Sequence, residues 1–582
     1  MYIHLKKIDA KLKTFLVFVS IFSCLILFRL IYLQIHLSES LSDLSKKNFT
    51  RIHKIASLRG NITDTHGQLI ATNRPVINVF WQGTNSNNID NAYKIIQNIQ
   101  TNLGKEAIET RSTINTIERY HQKYLIASDI SISELSQIIE QALTSKLIIE
   151  TSFQRHYPYK STASHILGYL GQIDLEIMGK TGLEKMFEDD LKGLQGQKTI
   201  TINSIGKRID QLDIQPATSG KNVRTTLDLN IQQILEKSLP KEFASAAIII
   251  ESNTGAIRAV ASRPDFDPAT FLKPLSYNDW HDLQERKPFI NRAFNAAYPP
   301  ASIFKIITMI AAIEEGIVTE ETEWNCTGFI KFGKRRYHCN QRDGHGTVDL
   351  KEAIIHSCNI PFFEIAKKIK IDTLAQYATM FGLGEKTGLI FSEKSGLIPT
   401  QQWKLNNKGE KWWPGETLSA VIGQSYTLTT PIQIATMLSA IFTKELIKPR
   451  IIESSPIERK AIPIKDSTIQ IVKEAMKLTV TEGTAKRLNN LEPFDIYAKT
   501  GTAQTSALEK RNLGSQFIEH VWFVAQVRHP SHPEFSLVIL VENAGATRIA
   551  INTAKQFLQY LQKHIESHPV IRPLPKLDNE LC

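Results

Sequence analysis

The sequence has few of the residues that mark the simpler structural classes. Only 5 of its 582 residues are cysteine, which excludes a small scaffold held together by disulfide bonds. It has 29 glycines and 23 prolines and is 42% hydrophobic, so neither a fibrous repeat nor wholesale disorder fits. No period of about 20–50 residues recurs, which excludes a solenoid or a propeller. A chain of this length holds several domains, at roughly 100–200 residues each.

The charge is moderately basic and is not clustered. The formal net charge is +11, yet no run of five or more lysines and arginines occurs. Nucleic-acid-binding surfaces often interleave aromatic residues with clusters of basic residues, and this sequence does not show that pattern. We therefore expect no nucleic-acid partner, and a basic surface that faces anionic lipid or polymer.

One long hydrophobic run lies near the amino terminus. Residues 14–37 are predominantly apolar with a single charge, Arg29, and about 20 such residues span a bilayer as a helix. A cleavable signal peptide is the alternative, but the run is longer than the usual apolar region and no A-x-A-like site follows. The lysines before the run predict a cytoplasmic tail at residues 1–13. The sequence therefore predicts a single-pass anchor, with the rest of the chain on the far side of the membrane.

The remainder divides into two predicted regions and a tail. Residues 45–235 open with extended segments and continue through polar helical stretches. Residues 240–565 begin with a hairpin around the turn Asn253-Thr254-Gly255, continue through apolar helices and end in more strands. This order predicts an α+β domain, an antiparallel sheet with helices packed around it. The proline-containing segment 566–582 is predicted to be a flexible tail.

Three short motifs carry the chemistry. In the first, Ser302-Ile303-Phe304-Lys305, residues three apart on a helix bring an amine beside a hydroxyl. A lysine whose pKa is lowered by burial can take the proton of a serine nucleophile. Alone the pattern is common, and a capping serine beside a solvated lysine is the simpler interpretation.

The second and third motifs remove that ambiguity by their order. Ser357-Cys358-Asn359 follows the first motif, and Lys499-Thr500-Gly501-Thr502 lies in a strand-like segment, where glycine permits close approach of a substrate. The set S-x-x-K, S-x-N and K-T-G in this order is the signature of penicillin-binding proteins and serine β-lactamases.

Over nearly its whole length the sequence resembles the class B penicillin-binding proteins, bacterial cell-wall D,D-transpeptidases. Further matches lie in the first region, which resembles the family's elongated pedestal (dimerisation-type) domain: Arg59-Gly60-Asn61-Ile62, Arg155-x-Tyr157-Pro158 and Gly182-Leu183-Glu184. The resemblance implies a penicillin-binding, β-lactamase-like fold for residues 240–565. Three departures from the family pattern are Thr65 for an arginine, Ala301 for a glycine, and Gln424-Ser425 for Gln-Gly.

The resemblance implies acyl transfer on a peptide that ends in D-Ala-D-Ala. Ser302, deprotonated by Lys305, attacks the penultimate D-Ala carbonyl and expels the terminal D-Ala. Ser357 relays a proton to the leaving amine, and Asn359 holds the substrate amide and the lysine. An amine of a neighbouring stem peptide then takes the acyl group, and no cofactor is needed for catalysis.

The third motif supplies the substrate-binding wall in the same implied mechanism. Lys499 provides positive potential, and the hydroxyls of Thr500 and Thr502 hold the terminal carboxylate beside Gly501. The backbone N–H groups of Ser302 and Thr502 form the oxyanion hole, which stabilises developing charge by several kcal/mol.

Four further residues are predicted metal ligands. The sequence around them resembles the elongation-type branch of the family, penicillin-binding protein 2, in which ligands at corresponding positions bind zinc. The four residues are Cys326, Cys339, His345 and Cys358. Three thiolates and an imidazole suit tetrahedral zinc, although the spacing matches no common finger pattern. A Cys326–Cys339 disulfide is the alternative, because an oxidising compartment permits it.

The resemblance also implies location and partners. We expect an enzyme of the bacterial inner membrane with its catalytic domain on the periplasmic side, acting on peptidoglycan stem peptides and glycan made from lipid-linked precursors, and bound by β-lactams. The implied partners are a SEDS-type glycan polymerase and scaffold proteins of the elongation complex. The alternatives are a D,D-carboxypeptidase or β-lactamase, in which water takes the acyl group, and a scaffold for the polymerase.

Overall fold

The structure is a computed structural model. It describes residues 2–84, 89–103, 110–120, 122–141, 146–173, 176–202, 208–273, 275–505, 510 and 513–568. The chain divides into two compact units, and each is described by itself. The first comprises residues 1–59, 74–154 and 192–220, and the second comprises residues 60–73, 155–191 and 221–582. The predicted boundaries at 45–235 and 240–565 stay predictions.

The amino-terminal helix is long and apolar. Helix α1 (Tyr2–Ile31) continues as a π-helical turn at Tyr32–His36. The apolar part, Lys11–His36, has 26 residues and is not covered by the rest of the chain. About 20 apolar residues are enough to cross the hydrocarbon core of a bilayer, so this helix is compatible with the predicted anchor. The side of the membrane on which the rest of the chain lies stays a prediction.

The elements up to residue 225 are short strands and helices. The helices are α2 (Ser38–Phe49), α3 (Ile89–Asn102), α4 (Arg111–Arg119), α5 (Ile132–Gln141), α6 (Ser164–Leu167), α7 (Gly182–Met186) and α8 (Glu188–Lys192). The strands are β1 (Thr50–Ile55), β2 (Ile62–Thr63), β3 (Leu69–Gln82), β4 (Lys123–Ile130), β5 (Leu147–His156), β6 (Leu170–Ile173), β7 (Glu176–Gly179), β8 (Gly196–Ile202), β9 (Arg208–Gln215) and β10 (Val223–Arg224).

In the first unit β1, β8 and β9 form an antiparallel three-stranded sheet. A separate small core packs α3 and α4 against β3 and β4. It is centred on Trp81, Ile96 and Ile117, and the Trp81 indole N–H donates to the buried Glu118 carboxylate at 2.8 Å.

The remaining elements belong to the second unit. The helices are α9 (Leu229–Ser238), α10 (Tyr277–Arg286), α11 (Lys305–Glu314), α12 (Leu350–Ile355), α13 (Ile360–Ala366), α14 (Ile371–Met380), α15 (Gln401–Lys408), α16 (Pro414–Ala420), α17 (Pro431–Thr443), α18 (Asp466–Thr481) and α19 (Arg548–Ser567). The strands are β11 (Ser245–Glu251), β12 (Ile257–Arg263), β13 (Trp324–Cys326), β14 (Phe329–Phe332), β15 (Arg335–His338), β16 (Gly346–Val348), β17 (Glu445–Ile447), β18 (Arg459–Ala461), β19 (Asp495–Ala503), β20 (His520–His529) and β21 (His532–Val541).

An antiparallel five-stranded sheet, in the order β12-β11-β21-β20-β19, is the centre of this unit. Every residue of β11 is buried, because side chains on both faces of the sheet meet helices. Ala246, Ile248 and Ile250 belong to the core shared with α11 and α17, whereas Ala247 and Ile249 belong to the core shared with α9 and α19. This two-sided burial explains the continuous apolar runs of the strands. The predicted α+β fold class and the hairpin at Asn253-Thr254-Gly255 are confirmed.

Helix α17 shows how local sequence fixes an element of this core. The Thr430 hydroxyl accepts a hydrogen bond from the Gln433 N–H at 3.4 Å, and the Gln433 side chain accepts one from the Thr430 N–H at 2.9 Å. Pro431 occupies the first helical position, where no N–H is needed. The helix ends beyond Thr443 at Lys444, which has the left-handed conformation.

Two of the sequence matches in the predicted pedestal meet at one buried ion pair of the second unit. The Arg155 Nε donates to the Glu184 carboxylate at 2.7 Å, and the guanidinium also donates to the Gly60 carbonyl at 2.7 Å. The Tyr157 hydroxyl donates to the same carboxylate at 3.0 Å. Because Arg155 and Glu184 are almost fully buried, each needs the other to offset its lost hydration.

We predict that Arg155→Ala lowers the free energy of unfolding by about 3–5 kcal/mol, because it leaves the Glu184 charge buried without its partner. Urea unfolding measures this difference. Lys221→Ala is the matched control, since its ion pair with Asp190 is 82% and 47% exposed and should contribute at most about 1 kcal/mol. Equal losses in the two variants would contradict the role given to burial.

Candidate active site

Ser302 lies in a 3-10 turn that precedes a buried helix. The turn, Ala301–Ile303, follows Pro299 and Pro300, and α11 begins at Lys305. Strand β19 packs closely against this turn. A Cβ atom added at Gly501 would lie 3.3 Å from the Pro300 carbonyl oxygen and 3.2 Å from the Ile303 side chain. Glycine at this position therefore lets the strand lie beside Ser302.

The two motif lysines meet at the hydroxyl of Ser357. The Lys305 ammonium donates to the Ser357 Oγ at 3.3 Å and to the Asn359 Oδ1 at 2.7 Å. It also donates to the carbonyl oxygens of Ser357 at 2.7 Å and Cys358 at 3.2 Å. The Lys499 ammonium donates to the same Ser357 Oγ at 3.0 Å. The structure thus connects side chains of all three motifs.

Both lysines are completely buried, and burial changes their acidity. Desolvation lowers the pKa of Lys305 to about 7, although the neighbouring Cys358 and Cys339 sulfurs oppose the shift. Desolvation also lowers the pKa of Lys499 well below its ordinary value, and the charge of Lys305 adds to that effect. An amine with such a lowered pKa can exist in the neutral form that accepts a proton.

The predicted substrate-facing residues share one cleft of about 600 Å³. It is lined, among other residues, by Ser302, Ser357, Asn359, Thr500, Gly501 and Thr502. Strand β19 is at the edge of its sheet, so its second side is available to the cleft. The Gln424 side chain donates to the Thr502 carbonyl at 3.4 Å, away from β20. Since the N–H and C=O of one residue in an antiparallel strand point to the same side, the Thr502 N–H also faces the cleft.

The predicted metal-binding residues lie together behind the S-x-N loop. The ligand atoms of Cys326, Cys339, His345 and Cys358 are all within 4.8 Å of one another. The three cysteines carry free thiols, and the alternative Cys326–Cys339 disulfide is not formed. Hydrogen bonding between the sulfurs of Cys339 and Cys358 lowers the pKa of Cys339 to about 4. Cys24 lies exposed in the apolar helix, and Cys582 and the predicted tail beyond residue 568 lie outside the described residues.

Comparisons with known proteins identify the family of the chain. The penicillin binding protein transpeptidase domain matches residues 245–559, and the penicillin-binding protein dimerisation domain matches residues 54–225. The chain belongs to the penicillin-binding protein transpeptidases. The family predicted from the motifs is therefore confirmed.

Three relatives of this transpeptidase illustrate the likeness. The peptidoglycan D,D-transpeptidase MrdA of Acinetobacter baumannii is 27% identical, over 94% of this chain and 86% of the relative. Penicillin-binding protein 2 in a complex with MreC from Helicobacter pylori is 25% identical, with a TM-score of 0.76 over 88% of this chain and 99% of that one. A chain from a peptidoglycan synthase complex that coordinates polymerization and crosslinking is 27% identical, with a TM-score of 0.71 over 94% and 98% of the two chains.

Sequence reasoning missed residues that support the transpeptidase cleft from outside the motifs. The Thr484 hydroxyl lies 2.8 Å from that of Thr500 and itself lines the cleft. Behind the nucleophile turn, the Glu542 carboxylate accepts hydrogen bonds from the Tyr298 hydroxyl at 2.5 Å and the Arg292 guanidinium at 2.9 Å. Tyr298 and Arg292 lie in the segment NRAFNAAYPPAS, so their place near Ser302 could have been suspected, but Glu542 had no local signal.

Two departures from the family pattern have the same structural consequence. Ala301 and Ser425 stand where glycine is common, and both adopt positive φ angles, of 50° and 65°. This left-handed conformation costs a residue with a Cβ roughly 1–2 kcal/mol, whereas glycine adopts it freely. Ala301 directly precedes Ser302, so backbone strain is stored next to the predicted nucleophile.

We predict that Ser425→Gly raises the free energy of unfolding by about 1 kcal/mol, because it relieves the left-handed strain at an exposed side chain. Thermal and urea unfolding measure the change. Ser454→Gly, at an exposed serine outside the left-handed region, should instead lower stability by about 0.4–1 kcal/mol through greater freedom of the unfolded chain. A loss of stability in both variants would refute the strain at Ser425.

Proposed function

We propose that the protein is a serine D,D-transpeptidase that cross-links peptidoglycan stem peptides during cell-wall elongation. The observation that carries this proposal is the convergence of Lys305 and Lys499 on the Ser357 hydroxyl in the cleft lined by Ser302. This arrangement gives a nucleophile three residues before a buried amine that can act as its base, and hydrogen bonds that join this amine to Ser357.

In the first half of the reaction, Ser302 Oγ attacks the penultimate D-Ala carbonyl while Lys305 takes its proton. The oxyanion is held by the N–H groups of Ser302 and Thr502, on the turn and on the edge strand that packs against it. Collapse of the intermediate breaks the peptide bond, and the leaving amine receives a proton through Ser357. The products of this half are the Ser302 ester and free D-Ala.

In the second half, an amine of another stem peptide attacks the ester and restores the Ser302 hydroxyl. Thr500 and Thr502 hold the terminal carboxylate of the donor before it leaves, and Lys499 provides positive potential beneath them. Asn359 keeps Lys305 in place through its Oδ1 and is held in turn by the hydrogen bond from its Nδ2 to the His338 carbonyl at 2.9 Å.

The donor geometry of the cysteine–histidine cluster supports a structural zinc ion. In a tetrahedral site, two sulfurs lie about 3.8 Å apart and a sulfur and a nitrogen about 3.5 Å apart, since Zn–S is about 2.3 Å and Zn–N about 2.0 Å. Here Cys339 and Cys358 sulfurs are 3.6 Å apart, and the His345 Nδ1 lies 3.6 Å from the Cys326 sulfur and 3.4 Å from the Cys339 sulfur. The four residues therefore fit the ion, which would brace the back of the S-x-N loop.

The proposal extends to location and partners. The apolar helix Lys11–His36 would anchor the chain in the inner membrane, with the catalytic unit on the periplasmic side. The similarity to a penicillin-binding protein 2 bound to MreC and to a chain of a peptidoglycan synthase complex supports partners of the same kind. We therefore expect an elongation-complex scaffold protein and a SEDS-type glycan polymerase to bind this chain.

We predict that Ser302→Ala abolishes covalent labelling by a fluorescent penicillin, because it removes only the nucleophilic oxygen. Ser419→Ala, which removes another hydroxyl that lines the cleft, should keep the label. Gel fluorescence of the purified proteins measures labelling, and circular dichroism checks that both are folded. Persistent stoichiometric labelling of Ser302→Ala would refute the assignment. Rapid release of the label to water would instead favour the β-lactamase alternative.

We also predict about one zinc ion per chain, with a lower melting temperature and slower acylation in Cys358→Ser, because metal binding stabilises the folded state that assembles its ligands. Cys24→Ser, in the apolar helix, is the matched control and should keep the metal. Elemental analysis of protein purified without a metal-affinity tag is the measurement. Less than ~0.2 zinc per folded, reduced chain would contradict the site.

A further inference from the structure

One wall of the cleft carries a dense and unbalanced positive charge. The segment 331–342, KFGKRRYHCNQR, contains five lysines and arginines and no acidic residue. Its first part forms the antiparallel hairpin of β14 and β15, in which Lys331 lies opposite Arg336. Such a basic segment is normally a solvated surface. Its position relative to the cleft decides whether it can contact a substrate.

Two of the five cations, Arg336 and Arg342, line the cleft that contains Ser302. Neither forms an ion pair with any residue that the structure describes. The Arg336 guanidinium lies 4.9 Å from the centre of the Phe329 ring, a cation–π contact that orients it without neutralising its charge. Among the described residues that line the cleft, one is acidic. It is Glu519, which is buried and directly precedes β20. The hairpin side of the cleft is thus left with uncompensated guanidinium groups.

The backbone next to these two exposed arginines is fixed by close contacts, one of them to Asn359. Beyond Arg336, the His338 carbonyl accepts a hydrogen bond from Asn359, and the Asn359 N–H donates to the Cys339 sulfur at 3.4 Å. The Arg342 backbone packs so closely on Gly328 that a Cβ there would lie 1.9 Å from the Arg342 carbonyl oxygen. A guanidinium placed by a rigid backbone loses less entropy on binding, and its planar fork matches a carboxylate.

From this geometry we propose that Arg336 and Arg342 form a subsite for a free carboxylate of the donor peptide, upstream of its D-Ala-D-Ala end. The inference rests on the proposed function. The carboxylate bound here differs from the terminal one, because Thr500 and Thr502 belong to strand β19, a separate element from the hairpin that contains Arg336. The cleft would therefore select an acidic stem peptide and orient it along the direction from the hairpin to the strand.

The test compares two acyl donors that end in D-Ala-D-Ala and differ only in one upstream side chain, a free carboxylate or its amide. The proteins are the full-length chain in detergent, Arg336→Gln, Arg342→Gln and the double variant. Arg335→Gln is the matched control, since Arg335 is an exposed neighbour of the same charge that does not belong to the described lining of the cleft. Release of D-Ala gives kcat/KM for acylation with each donor.

We expect the wild type to prefer the carboxylate donor by about 10-fold or more, the range of a charge-assisted hydrogen bond. The double variant should lose that preference through a higher KM, while its kcat/KM for the amide donor changes less than about twofold and Arg335→Gln behaves as wild type. Added salt should reduce the wild-type preference.

Three outcomes would overturn the subsite. Equal loss with both donors would mean that the arginines only support the loop. An unchanged preference of the double variant for the carboxylate donor would show that Arg336 and Arg342 do not recognise the carboxylate. A change confined to the transfer of the acyl group to the acceptor amine would place the carboxylate on the acceptor instead. Failure of the wild type to form an acyl-enzyme on Ser302 with either donor would instead refute the proposed function, so the two failures are distinguishable.

Discussion

The hydroxyl of Ser357 lies between two buried ammonium groups, and the rest of the active site is arranged around that constraint. No carboxylate of a described residue contacts either Lys305 or Lys499. Burying an unpaired ammonium is costly, so the site lowers the pKa of both amines and surrounds them with neutral oxygens. A carboxylate partner would stabilise each charge and thereby prevent Lys305 from accepting a proton. The absence of an ion pair in this part of the described structure is therefore what the predicted role of Lys305 as a base requires.

The fold supplies this arrangement by bringing three separate segments to one point. Helix α11 enters the core directly after Ser302 and carries Lys305 into a dry environment. Strand β19, at the edge of the central sheet, carries Lys499 inward while its cleft-facing backbone remains unpaired by β20. The loop with Ser357 then closes over both amines, and Ser357 itself has a positive φ of 56°. A strained residue at the meeting point is maintained only because the packed elements on every side determine its position.

Much of this could be predicted from the sequence, for identifiable reasons. The order of the three motifs gave the family, and the continuous apolar runs gave the central sheet. The residues that were missed act through tertiary contacts with no local pattern: Thr484 reaches Thr500 from the end of α18, and Glu542 reaches Tyr298 from the end of β21. The basic segment 331–342 contains no run of five lysines and arginines, and sequence alone does not show which of its side chains face the cleft. The sequence shows that Ala301 and Ser425 replace the glycines common in the family. The backbone strain at these two positions is seen only in their positive φ angles.

The S-x-N loop couples the catalytic centre to the cysteine–histidine cluster through three consecutive residues. Ser357 faces the two lysines, and Asn359 holds Lys305 with its side chain. Between them, Cys358 directs its sulfur to the cluster while its carbonyl oxygen accepts a hydrogen bond from Lys305. The Cys339 sulfur, in turn, accepts a hydrogen bond from the Asn359 N–H. The cysteine–histidine cluster and the predicted base, Lys305, are therefore joined through the backbone of this loop. The Asn359 side chain also donates to the His338 carbonyl, at the end of the hairpin strand that contains Arg336. The predicted proton-transfer residues and the proposed metal ligand Cys358 thus share one short stretch of backbone, in which residues of different chemistry occur side by side.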